Sequence, residues 1–449
     1  MTTNTKIEGN ANIVIQGVTD STITLTVNGE MQEIRKELGA LRALLEGLQM
    51  DRIQTAEKIY NIGTITHANF DFLVQQADYD KKLPPDIRET AISGDNGWTQ
   101  SLRDELRMHG VSVGNKPEKI FQYYGWLIEV FLQKMISAPG KKQTLYSLSF
   151  MAEAWQSSLR YLCNIQMVQI LQMGDKAQNP IFTDFIELGE DQFKHFDFLN
   201  FLLVTTEILP EGNAFLPEIN ALVSKITNTQ NDLYPTVLFL DQYRNQLLKG
   251  SIPEDGALEN LLDEYLSALV YWLREISFLA KYRMVSIKDI NLNYRMGTPK
   301  YFMHSYGELH GVFQKDYYHG EEFDYAIRDV EDVFTYNQSV LLFKGSNMDI
   351  CLNNISDKST WISLSPLIID QSVLVDIPKQ TPEIYYFTGS QSGHYHFGLY
   401  RNELDYKGRK KMASNRTLTI KRQNNRAAGF NALYRQLEQF FKPFKTEQR

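Results

Sequence analysis

Leu258-Glu259-Asn260-Leu261-Leu262-Asp263-Glu264-Tyr265 opens a run in which Leu258, Leu262, Tyr265, Leu269, Trp272, Ile276 and Leu279 recur at helical spacing. A few residues on, Met284-Val285-Ser286-Ile287-Lys288-Asp289-Ile290 alternates apolar and polar side chains with the period of a strand. The change of period near Met284 divides the chain. A helix over Asp255–Tyr282 reads as the spine of a bundle, and the chain beyond it reads as sheet. Helices and strands segregated in this way define an α+β multidomain class.

Upstream, the pattern predicts further helices. Trp98–His109 is short, and Pro117 suits a first helical residue ahead of Glu118–Ile136. Thr144–Met173 is long, and Asp191–Leu209, Phe215–Thr227 and Tyr234–Leu248 complete an all-helical region over 98–283. Downstream, parts of Val333–Phe343 and Ser372–Ile377, then Glu383–Thr388 and His396–Tyr400, read as short strands. Gly345-Ser346-Asn347, Asn353-Asn354, Pro378, Gly389 and Gly393 punctuate them. Asn424–Phe441 closes the chain as an amphipathic helix with Phe430, Leu433, Leu437, Phe440 and Phe441 on one face. Residues 284–449 are thus expected to form a β-rich domain with a basic C-terminal helix and tail.

The N-terminal region is organised differently. Asn12–Val18 and Thr22–Val27 form two runs around the turn Thr19-Asp20-Ser21, with Ile13 and Ile15 in the first and Ile23, Leu25 and Val27 alternating with threonines in the second. After Asn28-Gly29, Met31, Ile34, Leu38, Leu41, Leu45 and Leu48 step by three and four, an a/d seam of almost three heptads. A hairpin alone and a helix of this length alone are both marginal in water. The segment is therefore expected to associate. Residues 1–77 form a β-hairpin and coiled-coil association module, and the polar stretch 78–97, broken by Pro84-Pro85 and Gly94, is a linker.

The run from Gly9 to Glu30 resembles the leader of bacterial conflict-system proteins, multidomain proteins that carry NTPase, protease or TIR modules in defence against phage. Lys58-Ile59-Tyr60-Asn61-Ile62 is similar to a second element found with that leader. In such proteins the module looks like an adaptor. The resemblance implies a context and partner proteins, and carries over no catalytic residue.

At 449 residues, two or three domains are the prior. Composition is that of an ordinary globular protein, 43% apolar and 22% charged. No apolar run reaches the roughly 18 residues of a spanning helix, and the polar start Met1-Thr2-Thr3-Asn4-Thr5 lacks a signal peptide's apolar core, so no membrane partner is expected. With only Cys163 and Cys351, a disulfide framework and a cysteine zinc site are disfavoured and a reducing cytoplasm is expected. From Arg401 to Arg449 thirteen Lys and Arg face four acids, a net of +9, which leaves −17 on the rest of a chain of net −8. Arg409, Lys410, Lys411, Arg416, Lys421, Arg422 and Arg426, interleaved with Tyr400, Tyr406 and Phe430, are candidates for binding nucleic acid or an acidic partner. Folding against the chain's own acidic body is the plainer alternative.

Motifs for catalysis are weak. Gly140-Lys141-Lys142 lacks the glycine and the Ser/Thr of a P-loop, and no G-x-G-x-x-G occurs, so no nucleotide cofactor is expected. Arg103 and His109 echo the Arg/His pair of helical RNases, in which His moves a proton and Arg holds phosphate. His109 just before Gly110 also suits a helix C-terminus. His394 and His396, with His304, His310 and His319 upstream, offer two imidazoles on one side of a strand for a metal, without an indicated third ligand. Asp376, Glu403, Asp405 and Lys407 only loosely suggest a carboxylate–lysine metal nuclease. Gly389-Ser390-Gln391-Ser392-Gly393 is not a nucleophile elbow. The chain is therefore read as a non-enzymatic, self-associating adaptor or sensor that binds no cofactor and pairs with itself and with other conflict-system proteins. The competing class is an effector nuclease, HEPN-like or metal-dependent.

Overall fold

The computed structural model describes residues 97–442 apart from internal stretches, the longest being 137–143, 173–179, 310–321, 328–339, 375–382 and 400–416. The hairpin, seam helix and linker expected over residues 1–96 lie outside the described residues. The chain divides into two units, Met1–Gly47 and Leu48–Arg449, and the described elements all belong to the second.

The helical part contains α1 (Gly97–Met108), α2 (Pro117–Phe121), α3 (Trp126–Ile136), α4 (Thr144–Gln172), α5 (Pro180–Ile186), α6 (Glu190–Phe193), α7 (Phe198–Ile208), α8 (Glu218–Thr227), α9 (Leu233–Leu248) and α10 (Asp255–Glu275). Helix α4 is the hub, packed on α3, α7, α9 and α10. It is buried almost all round from Ser147 to Ile170, as a helix at the centre of a bundle must be. Trp155 of α4 meets Trp272 of α10 edge-on, centroids 4.7 Å apart. The Trp272 indole N–H donates to Ser158 Oγ at 2.8 Å, so the polar handle of the ring is satisfied inside the core.

Three expected helices end differently, each for a local reason. The single helix expected over Glu118–Ile136 is two, α2 and α3, with Pro117 at the start of α2. The break centres on Gly125, at φ +85°, where a Cβ would sit 3.0 Å from the Tyr161 ring of α4. The helix expected over Asp191–Leu209 is also two. Asp197 caps α7 by accepting the Asn200 N–H at 2.9 Å, which starts a new helix after the turn that follows α6. The helix expected to reach Tyr282 stops at Glu275 and tightens into a 3₁₀ turn, Ser277–Lys281.

The strands are β1 (Tyr282–Asn293), β2 (Tyr301–Glu308), β3 (Glu322–Ile327), β4 (Val340–Lys344), β5 (Trp361–Ser363), β6 (Ile368–Asp370), β7 (Ile384–Gln391), β8 (His394–Leu399) and β9 (Thr417–Ile420). They form a five-stranded sheet, β3-β2-β1-β4-β5, and a four-stranded sheet, β6-β7-β8-β9, with every pairing antiparallel. The fold is α+β, with helices and sheets in separate parts. Strand β7 turns into β8 through Ser392 (φ +52°) and Gly393 (φ +72°), the two left-handed residues of a tight hairpin. The strand expected within Ser372–Ile377 falls almost wholly outside the described residues. The five-stranded sheet encloses its own cluster of Val285, Ile287, Tyr306, Leu341, Phe343 and Cys351. Ser286 of β1 donates to buried Asp370 of β6 at 2.8 Å, and Asp370 also accepts the Glu383 N–H, so one carboxylate ties the two sheets together. Helix α11 (Ala428–Phe441) buries Leu433, Leu437 and Phe441, the last against Phe387 and Tyr395.

The four-stranded sheet meets the helices at β7. Phe387 packs on Phe185, centroids 5.8 Å apart, and Ser390 Oγ donates to the Ile186 carbonyl at 2.9 Å. Gly389, at φ +136°, lies so close to Leu188 that a Cβ would come within 1.9 Å of its carbonyl oxygen. Gly389→Ala is therefore expected to cost more than about 3 kcal/mol, or to prevent folding. Gly393→Ala, whose Cβ meets nothing, is expected to cost about 1–2 kcal/mol. Urea midpoints of the two variants check this ranking.

Candidate functional site

Among the described residues, those singled out by sequence do not converge on one site. The association set Ile13, Ile15, Ile23, Leu25, Val27, Met31, Ile34, Leu38, Leu41, Leu45 and Leu48 lies outside the described residues, as do Arg409, Lys410, Lys411, Arg416 and Arg426. Lys421 and Arg422 are described, and both are exposed directly after β9, an outer strand of its sheet. His394 and His396 sit on β8. His394 pairs in register with Gln391 to close the hairpin, and His396 Nδ1 lies 3.4 Å from Thr419 Oγ1. His304 is fully buried on β2 beside Tyr306, and burial pulls its pKa down to about 4, so it is a neutral core residue at pH 7. Among the described residues no group of three or more His, Cys, Asp and Glu is placed to hold a metal.

Arg103 and His109 are drawn into different contacts. Arg103 bonds Gln100 one turn back on α1. His109 follows the end of α1, and its Nε2 lies 2.9 Å from Ser277 Oγ at the start of the 3₁₀ turn. Burial, then the Lys281 cation, holds the His109 pKa below its usual value, against the pull of Glu105 and Glu218. A neutral imidazole beside a hydroxyl has the geometry of a base and nucleophile. The Ser277 hydroxyl belongs to a residue only 2% exposed, however, so the contact serves to staple the end of α1 to the turn before β1. The surrounding groups tie the same corner. Arg274 donates twice to Glu105 Oε1, Lys281 pairs with Glu218 at 3.0 Å, and the Tyr282 hydroxyl donates to the other Glu218 oxygen.

Among the described residues a further set of charged and polar groups lies along α4, where sequence reading had not placed a site. Glu153, Gln156, Ser157, Arg160 and Asn164 fall within an arc of about 100° on α4. All but Glu153 are buried. Facing this stripe are Asp197 at the start of α7 and Asp241, Arg244 and Asn245 on α9. Arg160, with 7% of its side chain exposed, pairs with Glu153 at 3.1 Å. Its guanidinium also lies over the rings of Phe193, Phe198 and Tyr386, 5.5–5.8 Å from their centroids. Arg244 donates to Asn245, whose amide donates to Asp241 at 2.9 Å. The Tyr265 hydroxyl of α10 donates to the Leu240 carbonyl beside them.

Burial and then the Asp241 carboxylate push Asp197 up to about 7, although the Asn200 N–H and Arg244 favour its ionised form. Burial likewise raises Asp241 against the pull of Arg244 and Asn245. Both aspartates are half-buried, and the loss of hydration holds both carboxyls above the usual carboxylate range. Burial and the Asp197 charge also push the Cys163 thiol well up, so Cys163, donating to the Phe198 carbonyl at 3.3 Å, is an inert thiol. Burial raises Cys351 to about 12, with the same consequence. The signal that could have revealed this cluster was the polar stripe at 153, 156, 157, 160 and 164 inside an otherwise apolar helix.

No protein-family model, curated protein or solved structure matches the chain.

Arg160→Met keeps the bulk of the side chain and removes the charge, leaving Glu153 without its ion-pair partner. It is expected to cost about 1–2 kcal/mol by urea unfolding, since Glu153 is 38% exposed and stays partly hydrated. His109 is expected to titrate below 6.5 in a proton NMR titration, with its midpoint rising in Lys281→Met, since Lys281 is one of the two causes that lower it.

Proposed function

We propose that this chain is a non-enzymatic, cytoplasmic adaptor or sensor of a bacterial antiphage system, and that it assembles with copies of itself or with partner proteins through residues 12–48. The observation that carries this reading is the a/d spacing of Met31, Ile34, Leu38, Leu41, Leu45 and Leu48 behind a strand pair of alternating threonines. The resemblance of Gly9–Glu30 to the leader of conflict-system proteins supplies the context. The exposed Lys421 and Arg422, with the basic residues around them in sequence, give a second surface for an acidic partner or nucleic acid. No helix among the described residues is long and apolar enough to cross a membrane.

The competing reading, an effector nuclease built on Arg103 and His109 or on His394 and His396, draws less support. His109 is spent on Ser277 and Arg103 on Gln100, and each of the β8 histidines has a local place in its hairpin.

Mass photometry of the full chain tests the proposal. An oligomer is expected, and Leu38→Asp with Leu41→Asp is expected to reduce it to monomer while the circular dichroism of the body is unchanged. A monomeric wild-type chain, or an oligomer indifferent to these substitutions, would count against it. RNA or DNA cleavage that is lost in His109→Ala would favour the nuclease instead.

A further inference from the structure

We propose that the exposed face made by the end of β9 and the outer side of α11 binds single-stranded nucleic acid through its phosphate backbone. This rests on the reading of Lys421 and Arg422 as a second surface, and gives that surface its extent and its ligand. Ile420 of β9 pairs in register with Tyr395 of β8. The Tyr395 ring meets Tyr434 of α11 at 5.9 Å between centroids, and its hydroxyl donates to Glu438. Helix α11 also packs on β9 itself. Lys421 and Arg422, the next two residues of the chain, therefore leave the sheet beside α11. The buried stripe of α11 is Leu433, Leu437 and Phe441. Arg435 lies on the opposite side of the helix, and Lys442 follows two turns on, about 10 Å further along the axis. All four cations are exposed.

Charge selects the class of ligand. The described residues between 384 and 442 carry these four cations and a single carboxylate, Glu438, which is engaged by the Tyr395 hydroxyl. Elsewhere in the described body Arg107, Arg160, Lys225, Arg274, Lys281 and Arg283 each have a carboxylate partner. Among the described residues none of Lys421, Arg422, Arg435 and Lys442 has one. The described body therefore does not neutralise this face, and a polyanion from outside does so by releasing its own counterions. Two cations at a strand end and two spaced along a helix reach further than one phosphate group, so they suit a chain of phosphates. Half-buried Tyr434 and Phe440 neighbour Arg435 and Lys442 on α11. Aromatic rings beside cations give unpaired bases a surface to stack on. A duplex keeps its bases stacked on one another, and an acidic protein brings no bases.

The test is fluorescence anisotropy of the full chain with labelled oligo(dT) and oligo(rU) at increasing salt. Binding of either is expected, weakening as salt rises. Arg435→Gln with Lys442→Gln is expected to weaken it about tenfold and to reduce the slope of log K against log salt by about 1.4, the share of two phosphate contacts on a single strand. Both side chains are exposed, so the circular dichroism of this variant is expected to match the wild type. Its mass photometry is expected to match as well, since assembly is assigned to residues 12–48, so loss of nucleic-acid binding and loss of assembly are read separately. Absence of binding to both probes with assembly intact overturns this proposal alone. A salt slope indifferent to the double substitution, a duplex bound as tightly as the single strand, or poly-L-glutamate competing as well as unlabelled oligo(dT) at equal charge overturns it too.

Discussion

The Arg160 guanidinium, held among three aromatic rings and one carboxylate, is the contact on which the joining of the two halves depends. Phe193 and Phe198 come from the helical part and Tyr386 from β7. A buried cation is tolerable only while it is paired. Moving β7 away from α6 and α7 would strip a ring from that cation and open the Glu153 pair to rearrangement. The neighbouring Gly389–Leu188 approach gives the same joint a steric tolerance smaller than a methyl group. Charge and shape thus hold one seam by different means, and the helices and sheets belong to a single unit even though their secondary structures are segregated.

That seam was not legible in the sequence, and the reason is physical. Long-period signals survive in a linear reading because they repeat: the stripe from Tyr265 through Ile276 and the alternation from Met284 were both clear, and so was the α+β class. Single-residue events do not repeat. Gly125 splits one helix and Asp197 restarts another, yet neither disturbs the apolar periodicity around it. Strand β6 is three residues, Ile368–Asp370, too short to alternate visibly, and α5 carries its apolar residues within two turns. The charged cluster was invisible for a further reason. Its members Arg160, Asp197 and Asp241 come from three helices, and each alone reads as an ordinary surface charge. Beyond the polar stripe on α4, only the fold brings them together, with Arg160 buried and the two aspartates half-buried. Arg103 and His109 show the converse, a pairing apparent in sequence that the fold sends to separate partners.

Positions that drew attention as chemistry acquire structural duties. Ser390 bonds the carbonyl at the end of α5, and Ser392 with Gly393 makes the turn of a hairpin. His304 fills the interior beside Tyr306 as a neutral ring. An aromatic-rich chain of this kind spends its Tyr and Phe on joints between elements, as Phe441 does on Phe387 and Phe215 on Tyr282. The described body fills its own core.

Strand β9 lies at one edge of the four-stranded sheet, with Lys421 and Arg422 exposed immediately beyond it. An outer strand presents unpaired backbone groups to any other strand that drifts near, and like charges at its end penalise such a union. Two copies approaching edge to edge would bring four cations together. This repulsion acts at the sheet edge whatever other surfaces the chain uses. Aggregation through the sheet is discouraged, so crowding copies together need not turn an ordered assembly into a fibre.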